Sequence, residues 1–372
     1  MNISETEFPF NFMYENYSLL KDACKKDFVS QHWAVFGDNF KELLSRQEIW
    51  PRMLRNALTI GLNDNLIKIS NKRFSDESYD YWENLRKGNY EDLIFDPEEN
   101  DTETQKLLSF FHETARLTSY DYLIDNCMQN ICSPVGLELN VTHKDTTKTV
   151  FCNQHDLDDV YHSWLILSEF HRTLNERPLI CEIGSGYGGL MSKIKKNVIN
   201  GRCILFDLPE VNIIQSYFLS NVFPDAKFLG YKDYLEKGTS LINSDFDFLI
   251  LPGWVAKDVL AKYSVDLFIN IRSFMEMHPK VIADYFSVIH NSIKMGGLFA
   301  CFNRYSKSIG GEEDFVVNEF KNYPFDNKWI PKLSKTSNIQ PHIHLLLAER
   351  NSGDIKINFD DHLKNVIGNS FY

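Results

Sequence analysis

Residues 178–190 read Pro-Leu-Ile-Cys-Glu-Ile-Gly-Ser-Gly-Tyr-Gly-Gly-Leu, an apolar run carrying one carboxylate, Glu182, two places before a glycine-rich turn. Leu179, Ile180 and Ile183 suit a buried parallel strand, while Gly184, Gly186 and Gly188 let the backbone turn sharply and approach a ligand closely. Two chemistries fit that turn. Gly184, Gly186 and Gly189 satisfy the G-x-G-x-x-G spacing of a dinucleotide-binding loop. Glu182 separates the two: a carboxylate there suits the charged end of a zwitterionic cofactor, or the water and backbone around it, but repels a pyrophosphate.

A second acid, Asp207, closes the strand Cys203-Ile-Leu-Phe-Asp207. Neighbouring strands of a doubly wound sheet deliver their C-terminal residues to one crevice, which would bring Asp207 to the ribose diol of a nucleoside held over the glycine turn. The same carboxylate suits the N-cap of the helix starting at Pro209-Glu210, and both roles can hold through different oxygens. His342-Ile-His344 places two imidazoles on one strand face, but the local spacing supplies no third ligand, so no metal site is expected and a wet surface is the better reading.

The elements that would position these residues alternate. Asp156-Leu-Asp-Asp offers an N-cap and first-turn acids for a helix with Val160, Trp164, Leu167 and His171 in its stripe. Strands are expected up to Glu182, at 203–207, near 227–231 or in 246–251, at 265–270 and at 298–302, with an antiparallel edge from 329–333 and 344–349. Pro279 suits the first turn of a helix whose face is Val281, Tyr285, Ile289 and Ile293, ended by Gly296-Gly297. Upstream, 38–56 and 103–117 show helical spacing, 89–102 reads as an acidic loop, and 137–142 with 148–152 as a hairpin. The expected fold class is α/β: a doubly wound, mostly parallel seven-stranded Rossmann-like sheet with a mainly helical N-terminal region. Residues 1–153 form that region and 154–372 the ligand-binding domain.

Composition bounds the partners. With 39 basic and 51 acidic residues among 372, the formal charge is −12, which disfavours nucleic acid as a substrate. The cysteines, Cys24, Cys127, Cys132, Cys152, Cys181, Cys203 and Cys301, form no C-x-x-C pair and read as free thiols in a reducing compartment. No secretory signal and no apolar run of about 20 residues is present, so a cytoplasmic protein without a membrane span is expected.

The segments Phe206-Asp-Leu-Pro-Glu-Val211, Phe248-Leu-Ile-Leu-Pro-Gly-Trp254 and Asp266-Leu-Phe-Ile-Asn-Ile-Arg-Ser-Phe-Met-Glu-Met277, with the glycine turn, resemble the bacterial sugar O-methyltransferase family over roughly 155–305. The resemblance implies a class I methyltransferase fold, S-adenosyl-L-methionine as methyl donor, and a hydroxyl of a surface glycan or its precursor as acceptor. Glu182, Gly184, Ser185, Gly186, Tyr187, Gly188, Asp207 and Leu208 would then bind the donor. Methyl transfer needs in-line approach and removal of the hydroxyl proton. Asn270 would orient substrate or donor, Glu276 or His278 would take the proton, and Arg272, Ser273, Arg304 and Tyr305 would meet the acceptor. Ile271-Arg272 departs from the small or polar pair expected there. His278 also suits a helix cap, and Glu276 a pairing with Arg272. The N-terminal region would cap the crevice, shape the acceptor pocket or form a homodimer. A phenolic or polyketide hydroxyl is the alternative acceptor, and a nicotinamide-dependent oxidoreductase the alternative class.

Overall fold

The strands and helices of a computed structural model describe residues 8–20, 23, 102–127, 137–170, 177–262, 264–310, 315–353 and 358–369. The helix expected at 38–56 lies outside the described residues. So do His171, Cys24 and Cys132, and the acidic loop at 89–102 except for Thr102, which opens a helix.

In chain order the elements are α1 (Phe8–Leu20), α2 (Thr102–Leu117), α3 (Tyr120–Asn126), β1 (Leu137–His143), β2 (Thr146–Cys152), α4 (Gln154–Phe170), β3 (Leu179–Ile183), α5 (Gly189–Asn197), β4 (Arg202–Asp207) and α6 (Pro209–Val222). There follow β5 (Phe228–Leu229), α7 (Tyr231–Lys237), β6 (Phe248–Pro252), α8 (Ala256–Val259), β7 (Val265–Ile271), α9 (Pro279–Ser292) and β8 (Ile293–Arg304). Last come β9 (Ser306–Ile309), β10 (Val316–Glu319), β11 (Trp329–Thr336), β12 (Ile343–Arg350) and α10 (Phe359–Asn369).

The main sheet runs β11-β12-β8-β7-β3-β4-β6-β5. Pairs from β8 to β5 are parallel, and β12 and β11 add the antiparallel edge. It is a doubly wound α/β sheet of eight strands rather than the seven expected, because both stretches weighed for the third strand, 228–229 and 248–252, are strands. The chain leaves β3 for β4 on one side and later returns as β7 on the other. That reversal opens a crevice at the C-terminal end of β3, where the glycine turn lies.

Side-chain alternation decides what faces what. Ile180, Cys203, Leu205, Leu267 and Ile269 pack beneath α4, α5 and α6, whereas Leu179, Cys181, Ile183, Phe206 and Phe268 pack beneath α9 and α10. A period of two therefore turns Glu182 and Asp207 to the first face, under α4. Met13 and Tyr17 of α1 join the same core, so the first helix belongs to the sheet's own packing.

The helix α4 starts two residues before Asp156, and its cap is Asn153, whose side chain accepts from the Asp156 N–H at 2.8 Å. The 137–152 hairpin forms, with Lys144 and Asp145 in left-handed conformation at its turn. Pro279 opens α9 as expected, but the helix ends at Ser292 and runs directly into β8, so Gly296 and Gly297 lie inside a strand. No described helix is long and apolar enough to cross a membrane.

Candidate active site

Gly184, Gly186 and Gly188 all adopt left-handed backbone, with φ of 70°, 55° and 93°. Each conformation favours glycine. At Gly184 a Cβ would meet Ser273 Oγ at 1.8 Å, which brings the segment after β7 against the turn, whereas a Cβ at Gly186 would stand in open space. The turn thus has one side closed by Ser273 and one side free for a ligand.

Asp207 is tied to this turn. Its Oδ2 accepts from the Gly186 N–H at 3.0 Å and from Gln215 Nε2 at 3.1 Å, while Oδ1 accepts from the Leu208 N–H at 2.8 Å. Gln215 also donates to Ser185 Oγ at 2.9 Å. The N-cap of α6 is Leu208 with no side-chain cap, so Asp207 serves the glycine turn and not the helix end. Burial pushes its pKa up to about 7 against these N–H bonds.

Glu182 is 3% exposed, and its Oε2 has no hydrogen-bond partner. Burial first, then the neighbouring Asp159 and Asp207, hold its carboxyl well above the ordinary range. A buried carboxylate oxygen left without a partner is expensive and calls for a donor or a cation that none of the described residues supplies.

The face of α4 completes the crevice. Asp159 Oδ2 and the Tyr187 hydroxyl both stand against Gly189, within 2.5 Å of where its Cβ would be. Burial raises Asp159 to about 7, partly offset by Lys193. Asp158 is bonded through Oδ2 to Gln340 Nε2 and lies 3.5 Å from Arg272 Nη1. Burial raises it to about 8. His162, one turn further on, is 1% exposed with neither ring nitrogen partnered, and burial lowers it to about 3.

The residues named from sequence divide. Glu182, Gly184, Ser185, Gly186, Gly188, Asp207 and Leu208 converge on one turn. The Tyr187 ring packs on Phe218 at 4.9 Å, and its hydroxyl stands beside Asp159 against Gly189. Arg272 reaches Asp158 from left-handed backbone, φ 57°, and so is not paired with Glu276. Asn270 is buried and fully engaged: it donates to the Ile183 carbonyl at 2.8 Å and accepts from Phe274 N at 3.1 Å and Asn303 Nδ2 at 2.9 Å. Glu276 is bonded to Lys307. His278 is exposed and caps α9 by accepting from the Lys280 N–H at 3.2 Å. Arg304 is half-buried with an unpartnered Nε, while Tyr305 is buried and shares its hydroxyl with Thr336 Oγ1 at 2.5 Å. His344 is fully buried and bonded to Ser334 Oγ at 3.1 Å, which corrects the expectation of a wet surface; His342 is exposed.

Sequence reasoning took Asp158 and Asp159 only as first-turn acids of a helix and passed over His162. The signal was present in His155-Asp-Leu-Asp-Asp-Val-Tyr-His162, where acids and imidazoles occupy the buried face of a helix. Gln215 and Gln340 carried no local signal, since each acts across the fold.

Neither a protein-family model nor a curated protein matches this sequence. Among solved structures, the chain is similar to a geranyl diphosphate methyltransferase in complex with SAM, at 12% identity over 53% of this chain and 87% of that one, TM-score 0.36. It is also similar to the Burkholderia thailandensis 1,6-didemethyltoxoflavin-N1-methyltransferase, at 14% identity over 53% and 84%, TM-score 0.36. An O-methyltransferase family 2 protein from Planctomyces limnophilus, in complex with apigenin, shows 14% identity over 53% and 60%, TM-score 0.32.

Proposed function

We propose that the crevice holds S-adenosyl-L-methionine and that the chain is a methyltransferase acting on a hydroxyl, with a sugar of a glycan or its precursor as the acceptor. The observation that carries this reading is the unpartnered Oε2 of Glu182, buried beneath a turn of left-handed glycines and flanked by Asp207 and Asp159. A cationic ligand relieves that concentration of carboxylates, and a pyrophosphate aggravates it. The donor supplies a sulfonium methyl group that an oxygen nucleophile can take.

The chain's own residues divide the labour of holding it. Glu182 receives the ammonium end, the backbone of Gly184 to Gly188 lies along the ligand with no Cβ to obstruct it, and Asp207 offers a carboxylate oxygen to the ribose diol. Leu208, half-buried at the head of α6, supplies an apolar flank. Arg272 and Ser273 line the acceptor side, where Ser273 already touches the turn.

Calorimetric titration with S-adenosylhomocysteine and, separately, with NADH tests the reading. Saturable binding of the first and none of the second is expected. Binding of NADH with no response to S-adenosylhomocysteine would replace methyl transfer by hydride transfer.

A further inference from the structure

Three polar groups beside the glycine turn are buried with atoms that no described residue satisfies: Asp158 Oδ1, Gln340 Oε1 and both ring nitrogens of His162. Asp158 and His162 are four residues apart on α4, which sets them on one helix face. Gln340, in the turn between β11 and β12, fixes Asp158 through the other oxygen, Oδ2, and Arg272 flanks that same oxygen. Tyr161 adds a bond to Asn338 at 3.4 Å, so the β11–β12 turn is laid over α4 as a roof. The cluster also adjoins the turn: Asp159, next to Asp158, stands against Gly189, and Ser273, next to Arg272, stands against Gly184.

Buried polar atoms without partners are few in folded proteins and mark a place where a ligand or water completes the bonding. Here they are clustered, they lie at the C-terminal edge of the strands, and the residue that links them to β7, Arg272, holds a left-handed backbone that a side chain adopts only under constraint. A single hydroxyl cannot satisfy an imidazole, a carboxylate oxygen and an amide oxygen together. Three adjacent hydroxyls can, each donating its one proton to one of the three acceptors.

We propose that Asp158, His162 and Gln340 form the acceptor subsite, that it takes a polyhydroxylated molecule, and that Asp158 Oδ1 is the catalytic base. This rests on the reading of the chain as a methyltransferase. The acceptor oxygen forms a bond to the methyl carbon, the carbon–sulfur bond breaks with its pair remaining on sulfur, and the hydroxyl proton passes to Asp158 Oδ1. His162 and Gln340 hold the neighbouring hydroxyls. Arg272 is a positioning residue, keeping the other carboxylate oxygen occupied. A site built to bond several hydroxyls rejects an acceptor that lacks them, because its buried groups are then left unpaired.

The test uses the full chain, tritiated S-adenosyl-L-methionine, and an acceptor panel of methyl glycosides and nucleotide sugars set against phenols and simple primary alcohols. Wild type is expected to label one or more of the polyhydroxylated compounds. Asp158→Asn should lower kcat at least 100-fold while its affinity for S-adenosylhomocysteine stays within threefold. His162→Phe should raise the acceptor KM about tenfold or more with a smaller change in kcat, and should raise Tm, since it replaces two unpaired nitrogens with a ring that still packs on Phe302. If Asp158→Asn fails to bind S-adenosylhomocysteine, the His162→Phe result decides. Full turnover in Asp158→Asn, no effect of His162→Phe on KM, or labelling confined to phenols and simple alcohols or absent altogether while S-adenosylhomocysteine binds overturns the subsite and leaves the methyltransferase reading standing. Failure of wild type to bind S-adenosylhomocysteine overturns that reading itself.

Discussion

The carboxylate of Asp207 accepts from the backbone N–H of Gly186 at 3.0 Å, so the tip of β4 is latched to the glycine turn that follows β3. Side-chain alternation sets the two acids read from the sequence, Glu182 and Asp207, on one sheet face, where Asp207 helps to raise the Glu182 carboxyl above its ordinary range. A ligand that draws Asp207 onto itself must exchange this bond for a better one.

Glu182→Gln keeps the shape of the side chain and removes its charge. Loss of a charge-assisted bond of about 1.5–3 kcal/mol should weaken S-adenosylhomocysteine binding roughly 10- to 150-fold. The unliganded protein should at the same time melt higher at neutral pH, because the buried carboxyl, held well above its ordinary range, must take up a proton on folding and the amide need not. Calorimetry and thermal melts of the same preparation check both; unchanged affinity would detach Glu182 from the ligand.

Stability should fall as pH rises. Asp159 and Asp207 titrate near 7 and Asp158 near 8 in the folded chain, all lifted by burial from about 4 when unfolded. Between those values the folded state holds protons that the unfolded state has released. The stabilisation is complete below about pH 4 and lost as the pH climbs through 7 to 8, with a slope of about 1.4 kcal/mol per pH unit for each group. Urea midpoints from pH 4.5 to 8.5 test this, and Asp158→Asn should show a shallower decline.

Gly184→Ala and Gly186→Ala share a backbone penalty and differ in space. Gly186→Ala meets nothing and should lose about 1 kcal/mol from its left-handed φ alone. Gly184→Ala adds a clash with Ser273 and should lose clearly more, about 3 kcal/mol in all. Ser273→Ala in the Gly184→Ala background should return only part of the difference, as chemical denaturation will show.

Lys193 and Asp156 form an ion pair at 2.5 Å, with both side chains buried, joining α5 to α4. Lys193→Met removes the buried cation facing Asp156 and Asp159 and should cost about 3–5 kcal/mol. Lys193→Met combined with Asp156→Leu should recover most of that loss. Urea unfolding of the single and double variants gives the comparison; a double variant as unstable as the single would assign the effect to packing.

The parallel strands were legible because Val, Ile, Leu and Phe runs in 179–183, 203–206 and 265–269 have no other economical home than a sheet covered on both faces. Glu182 and Asp207 were legible because each interrupts such a run at its end. The crevice's other wall was not, since α4 reads as an ordinary helix until one knows that its acids point inward. Asp158 meets Gln340 across 182 residues, and no local pattern reports a contact of that separation. Glu276 and His278 looked chemical from their types alone; Lys307, which occupies one of them, lies on a strand the sequence did not announce.

The first helix bears on how the chain is made. Asn16 accepts from the Lys232 N–H across 216 residues, and Met13 and Tyr17 fill a core whose strands are encoded far downstream. During synthesis the apolar side of α1 emerges long before anything exists for it to cover. That helix must therefore stay soluble or be chaperoned until the sheet is nearly complete, and its docking is a late event in folding.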